Sequence, residues 1–249
     1  LNTRLTKAVL VALLLASPSW GAATYVTQTG IIGDADPHAD TTVTLPAHLA
    51  NDILYLSIMV RDADDTITID TATGWAQVTG SPFTRGTSAR YWVWWKRAAS
   101  SSETNPLINY SGTTADSYYN CLVYRGAITT ETPHEVLGTP ATGTADPTSL
   151  TGITSLTANS LIVISLIGED NNNASCTATG TDPSAYTEHY DETVTGADAV
   201  SCWSEFERTT AGATGTVSID WDVAVPVGWG AILMALKPPA QKHQAVIID

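Results

Sequence analysis

The chain has 249 residues, with 25 acidic against 11 basic side chains and a formal net charge of −14. That length suits one large domain with a full hydrophobic core. The charge excludes functions that depend on attraction to nucleic acid or to anionic membrane surfaces.

The first residues read as an export signal. Arg4 and Lys7 form a positive start, Ala8–Ala16 (AVLVALLLA) is an apolar stretch too short to span a bilayer, and small residues follow. Cleavage is expected after Ala23 or Gly21. Loss of residues 1–23 removes those two cations and no acid, which moves the net charge from −14 to −16. Such a mature chain fits a secreted, cell-surface or virion protein.

Beyond this segment, helical periodicity is missing, and Gly, Thr, Ser, Asn and Asp are abundant. That pattern predicts short strands and tight turns. Residues 24–30 (TYVTQTG) and 41–45 (TTVTL) read as opening strands around an acidic, Pro-containing loop. Residues 51–61 are nearly all apolar, as in a central strand covered on both faces. TITID at 66–70 alternates, and glycines at 74 and 80 turn the chain.

RYWVWWKRA at 90–98 is a strand by its aromatic and β-branched content. Alternation puts Tyr91, Val93 and Trp95 on one face and Arg90, Trp92, Trp94 and Lys96 on the other. Strands follow at 107–110 and 117–126. Residues 136–151, rich in Thr, Gly and Pro, read as a long connection. Further strands are expected at 160–167, 186–193, 199–208, 216–222 and 229–237, and Pro238-Pro239 ends the last of them.

The later strands echo the earlier ones. SCWSEFER at 201–208 aligns with the aromatic strand 111 positions back, pairing Trp92 with Trp203, Trp95 with Phe206 and Arg97 with Arg208. LINY and CLVY match SIDW and ILMA at the same offset, while NDILYLSIMV resembles NSLIVISL three residues out of register. The expected fold is all-β: a jelly-roll-like, two-sheet antiparallel sandwich with an internal pseudo-duplication. Residues 24–238 form this domain, between a signal at 1–23 and a short tail at 239–249.

Several pieces coincide in order: NDILYLSIMV, Gly74-Trp75, YWVWWKRA, CLVYRGA and WGAILMALKP. Together, over about residues 41–238, they resemble the β-sandwich modules of tailed-phage structural proteins and of some secreted bacterial surface proteins. The resemblance implies a non-catalytic structural or adhesive part that assembles with itself or with other structural proteins. From its acidic charge, the mature chain is expected not to insert into membranes.

Trp92, Trp94 and Trp203 fall on one expected face, where flat indoles would stack on sugar rings as a polysaccharide-binding platform. The same three also suit a face covered by a loop or a partner subunit. Asp62, Asp64 and Asp65 in one loop, and Glu169 and Asp170 in its repeat, offer oxygen ligands for calcium, the one cofactor to consider. Neither loop carries a complete EF-hand pattern.

Catalytic motifs such as G-x-S-x-G, H-E-x-x-H or a P-loop are missing from the sequence. His189, beside Glu188, Tyr190 and Asp191, is the densest polar cluster and the place where a polysaccharide-active enzyme would act. Of the three cysteines, Cys176 and Cys202 flank one expected hairpin and are candidates for a disulfide. Cys121 lies in an apolar strand and reads as a buried thiol.

Overall fold

The computed structural model describes residues 21–34, 40–70, 74–111, 116–144, 148–169, 176–194, 199–221 and 228–240. All their regular structure is β. The first half holds β1 (Thr24–Gln28), β2 (Ile32–Asp34), β3 (Thr41–Thr42), β4 (Ile53–Val60), β5 (Ile67–Ile69), β6 (Ala76–Gln77), β7 (Phe83–Arg85), β8 (Ala89–Arg97), β9 (Leu107–Tyr110) and β10 (Ser117–Arg125). The second holds β11 (His134–Leu137), β12 (Ala141–Gly143), β13 (Thr148–Leu150), β14 (Thr154–Ser155), β15 (Ser160–Glu169), β16 (Cys176–Gly180), β17 (Thr187–Val194), β18 (Ala199–Arg208), β19 (Gly212–Ala213), β20 (Val217–Trp221) and β21 (Gly228–Leu236).

The strand order repeats. One large sheet runs β1-β10-β4-β8-β6, and the other runs β11-β21-β15-β18-β17. Two small sheets, β3-β9-β5 and β13-β20-β16, also correspond, and β14-β19 makes a fifth. Every pairing is antiparallel. The all-β expectation holds. Among the described residues there are five sheets instead of two, and the described part of residues 136–151 contributes to β11, β12 and β13 rather than forming a plain connection. These short strands are the second-half counterparts of β1, β2 and β3.

The core explains the layering. β4 (ILYLSIMV) is buried at every residue, because the large sheet is covered on both faces. Ile53, Tyr55 and Met59 meet Leu161, Val163, Ile167, Trp203 and Met234 of the other large sheet. Leu54, Leu56, Ile58 and Val60 face the other way, against Val43, Ile67, Ile69 and Ile108 of the small sheet. β15 does the same, turning Ile162, Ile164 and Leu166 to Leu150, Ala178, Val217 and Ile219. The result is four principal layers: small sheet, large sheet, large sheet, small sheet. Fully burying each such aliphatic side chain contributes about 1.5–3 kcal/mol, so the continuous apolar runs of β4 and β15 hold the stack together.

The register between the halves is not uniform. Ile58 lies opposite Trp92, whereas Leu166, the counterpart of Ile58, lies opposite Cys202. The structural partner of Trp92 is therefore Cys202, and that of Trp203 is Val93. The sequence alignment of these strands is one residue out. A one-residue slip moves every side chain to the opposite face. Trp203 thus points into the layer between the large sheets, while Trp92 points into the layer beneath the small sheet.

Asn51 and Asn159 precede β4 and β15 with φ of 71° and 62°. Asparagine tolerates this left-handed conformation better than most residues. The two asparagines recognised as matching in sequence therefore make the same turn into the same strand.

Candidate functional site at the seam between the halves

The tryptophan platform is corrected by burial. Trp92 is 3% exposed, Trp94 8% and Trp203 0%. Trp92 and Trp94 pack against Ile67, Ile69, Trp75 and Ile108, with the Arg90 guanidinium 5.8 Å from the Trp92 ring centroid. Trp203 packs in the central layer, 5.9 Å from the Tyr55 ring. Trp92 and Trp94 share one covered face and Trp203 lies on another, so the three present no common exposed surface.

Glu169, expected as a calcium ligand, is 4% exposed, and its Oε2 accepts a hydrogen bond from Arg85 at 2.7 Å. This ion pair ties the two halves together and occupies one of the two carboxylate oxygens of Glu169. Asp62 uses Oδ1 to accept from the Asp64 backbone N–H at 2.8 Å, closing its own turn, and the carbonyl of Asp65 accepts from Arg90 at 3.0 Å. Asp170 lies outside the described residues. Among the described residues, no three His, Cys, Asp or Glu side chains gather as a metal site. Cys202 is disulfide-bonded and Cys121 is a buried free thiol. The side chain of Cys176 lies outside the described residues.

The seam between the two large sheets is where polar chemistry collects. At its centre, Asn120 is fully buried; it accepts from the Ser57 hydroxyl and donates Nδ2 to Ser201 Oγ of the other half at 3.1 Å. A buried amide satisfied from both sides fixes the register of the two sheets.

At one end of the seam, β6 edges one large sheet and β11 edges the other. His134 on β11 brings Nε2 within 2.6 Å of the Tyr55 hydroxyl. Trp95 meets the imidazole edge-on, with centroids 5.7 Å apart and planes at 90°. Burial, followed by the nearby Lys237 charge, lowers the His134 pKa to about 4. The imidazole is then neutral near pH 7 and shares one hydrogen bond with the Tyr55 hydroxyl. Beside it opens a cleft of about 400 Å³, lined by β6, β11, Trp95, Thr79 and Thr132.

The His134 shift has a stability consequence. The ring protonates near 6.5 when unfolded and near 4 when folded. Its contribution is therefore complete above about pH 6.5 and is lost as pH falls through about 4. Each pKa unit corresponds to about 1.4 kcal/mol, so the effect amounts to a few kcal/mol. Urea unfolding across this window is expected to show that loss, and His134→Gln is expected to flatten it. An unchanged slope in the variant would contradict the assignment.

At the other end, β1 faces β17. Tyr25 occupies on β1 the place of His134 on β11: each lies opposite corresponding residues, Tyr124 and Leu236, and each is followed by a register shift. Glu205 occupies the place of Trp95, since Ala76 lies opposite Trp95 and Thr187 opposite Glu205. Here the space is filled. His189 stacks on Tyr25 at 4.4 Å with planes 16° apart, and its Nε2 lies 2.7 Å from Glu205 Oε1. Burial, followed by the Glu205 charge, raises the pKa of Tyr25 and of Tyr124, so both phenols stay protonated. Tyr25 donates to Gln28 Oε1 at 2.6 Å.

The filler is a local insertion. β17 shifts register between Glu188 and Tyr190, and His189 is the extra residue. Next to β6 there is no such shift: Gln77 pairs with Trp94, and the following Val78 N–H bonds the Val93 carbonyl at 2.8 Å. The sequence singled out His189 for its neighbours on the same strand. Its partners Tyr25 and Glu205 come from other strands and are not legible from local spacing. A β-bulge that re-aims a side chain is the physical device that brings them together.

Compared with protein-family models, with curated proteins and with solved structures, the chain finds no match.

Proposed function

We propose that the protein is a non-catalytic adhesive or structural module of a bacterial surface or phage-type particle, exported and acting outside the cytoplasm. The observation that supports this most is the seam. Arg85 with Glu169, and Asn120 with Ser57 and Ser201, bind two similar halves into one body. Such a body suits a part that must keep its shape while bearing contacts. The resemblance carried by YWVWWKRA and CLVYRGA points the same way, as an analogy of fold.

Export has its own test. Ala22 and Ala23 are buried in the central core beside Gly126. Cleavage after Gly21 keeps both, so intact mass of the secreted chain is expected to place its first residue at Ala22. A first residue at Thr24 would contradict this.

A second reading, a polysaccharide-active enzyme, draws on the Tyr25–His189–Glu205 cluster, which assembles acid–base groups at one edge. Incubating the full chain with uronate-containing and neutral polysaccharides separates the two. The module reading expects no unsaturated uronide absorbance and no new reducing ends, together with self-association in light scattering or retention on cells or particles. Turnover that disappears in His189→Ala would replace it with the enzyme.

A further inference from the structure

We propose that the open end of the seam, the cleft between β6 and β11, is a binding site for one neutral sugar ring, such as the terminal residue of a glycan. This deepens the adhesive reading, and rests on it, by naming what is held.

The first argument is the broken symmetry. Both ends of the seam are built from corresponding strands. At the β1–β17 end, His189 fills the space over Tyr25 and reaches Glu205. At the β6–β11 end the filler is missing, and a cleft of about 400 Å³ remains. That volume lies within the range of about 300–1,000 Å³ typical of small-molecule sites, which favour interfaces between packed units.

The second argument is the exchange of Glu205 for Trp95 at corresponding positions. One end carries a carboxylate facing an imidazole; the other carries a half-buried indole. The Trp95 ring is held from the side by His134, which is itself held by Tyr55. A flat apolar surface fixed before the ligand arrives loses little freedom on binding.

The third argument is the rim. Val136 and Leu137 continue the apolar wall, while Gln77, Thr79 and Thr132 add amide and hydroxyl groups. Glu135 also lines the cleft; its Oε1 accepts from the Leu156 N–H at 3.0 Å and the Ser160 hydroxyl at 2.6 Å, while its buried Oε2 has no protein partner and can accept from a ligand hydroxyl. His134 stays neutral down to about pH 4. Among the described residues the lining includes no lysine or arginine, and an aromatic plate with hydroxyl, amide and carboxylate neighbours matches the C–H face and hydroxyl edge of a pyranose. It does not match an anion.

The test uses the full chain on a glycan array, followed by calorimetry with the best glycan. Ala76 is exposed and lies beside Trp95, so Ala76→Trp fills the cleft without touching the core. Binding to a subset of neutral glycans is expected. Trp95→Ala and Ala76→Trp are each expected to weaken it at least tenfold, and Ala76→Trp is expected to leave the melting temperature unchanged. No retained glycan, or full binding by Ala76→Trp, would overturn the proposal, as would binding confined to charged glycans or to peptides. Self-association is measured on the same Ala76→Trp protein. If it persists while no glycan binds to wild type, the site is wrong and the module reading stands.

Discussion

Trp203→Ala is expected to lower the unfolding free energy by about 3–5 kcal/mol, the usual range for deleting a large aromatic from a packed core. Trp203 is fully buried between the two large sheets and shares that layer with Tyr55, Val163 and Met234. Its removal leaves a cavity that must be closed from both halves at once, and sheets locked by Asn120 and Arg85 cannot slide to fill it. Urea denaturation of wild type and variant gives the value directly. Leu156→Ala is the control: Leu156 is 68% exposed, and such a surface change stays within about 0.5 kcal/mol. A loss below about 1 kcal/mol for Trp203→Ala would place this side chain outside the core.

The second large effect is expected at Lys96 and Glu103. Lys96 is buried on the outer face of β8, where its ammonium contacts the Glu103 carboxylate. Glu103 Oε1 also accepts from the backbone N–H of Ala99 at 2.5 Å and of Ser100 at 3.0 Å. Burial pushes the carboxyl up, but Lys96 and these two N–H donors outweigh it and hold its pKa below the ordinary value. Lys96→Met leaves the anion without its countercharge and is expected to cost about 3 kcal/mol, as for a broken buried pair. Adding Glu103→Gln removes the charge while keeping an acceptor for the two N–H groups, so the double variant is expected to recover at least half of the loss. The pH sign follows from the lowered pKa. The contribution is complete above the unfolded value near 4.5 and is lost as pH falls through the folded one. A double variant no better than Lys96→Met would show that the uncompensated Glu103 charge is not the source of the loss.

Much of this fold was legible in the chain. The strands at 107–110 and 199–208 match their expected limits, and the eight-residue β4 lies inside the apolar run read as a central strand. Duplication was visible because core strands repeat their apolar pattern. The outer layers were harder to see. Their strands are two to five residues long and rich in Thr, Ser and Gly, so they resemble turns. Arg90 and Lys96 suggested that one face of β8 met solvent. The run Tyr91–Trp95 held the better signal: five consecutive aromatic or aliphatic residues, like the run in β4, mean a strand covered on both sides.

The misplacement of Trp203 traces to a single residue of register. Matching Trp92 to Trp203 looks natural by identity, yet hydrogen-bonded pairing aligns Trp203 with Val93. Side-chain direction in a strand reverses with each step, so the error turned one interior indole toward a surface it never reaches. The seam clusters were illegible for another reason. His189, Glu205 and Tyr25 lie on three strands, and only the sheet order brings them within contact.

The joining of two halves into one body is tested most directly by hydrogen exchange followed peptide by peptide through a urea series. Amides of β4 and β15 are expected to lose protection together, at one urea concentration, because each strand is covered by the other half. Loss of protection in one half while the other remains folded would contradict a shared core.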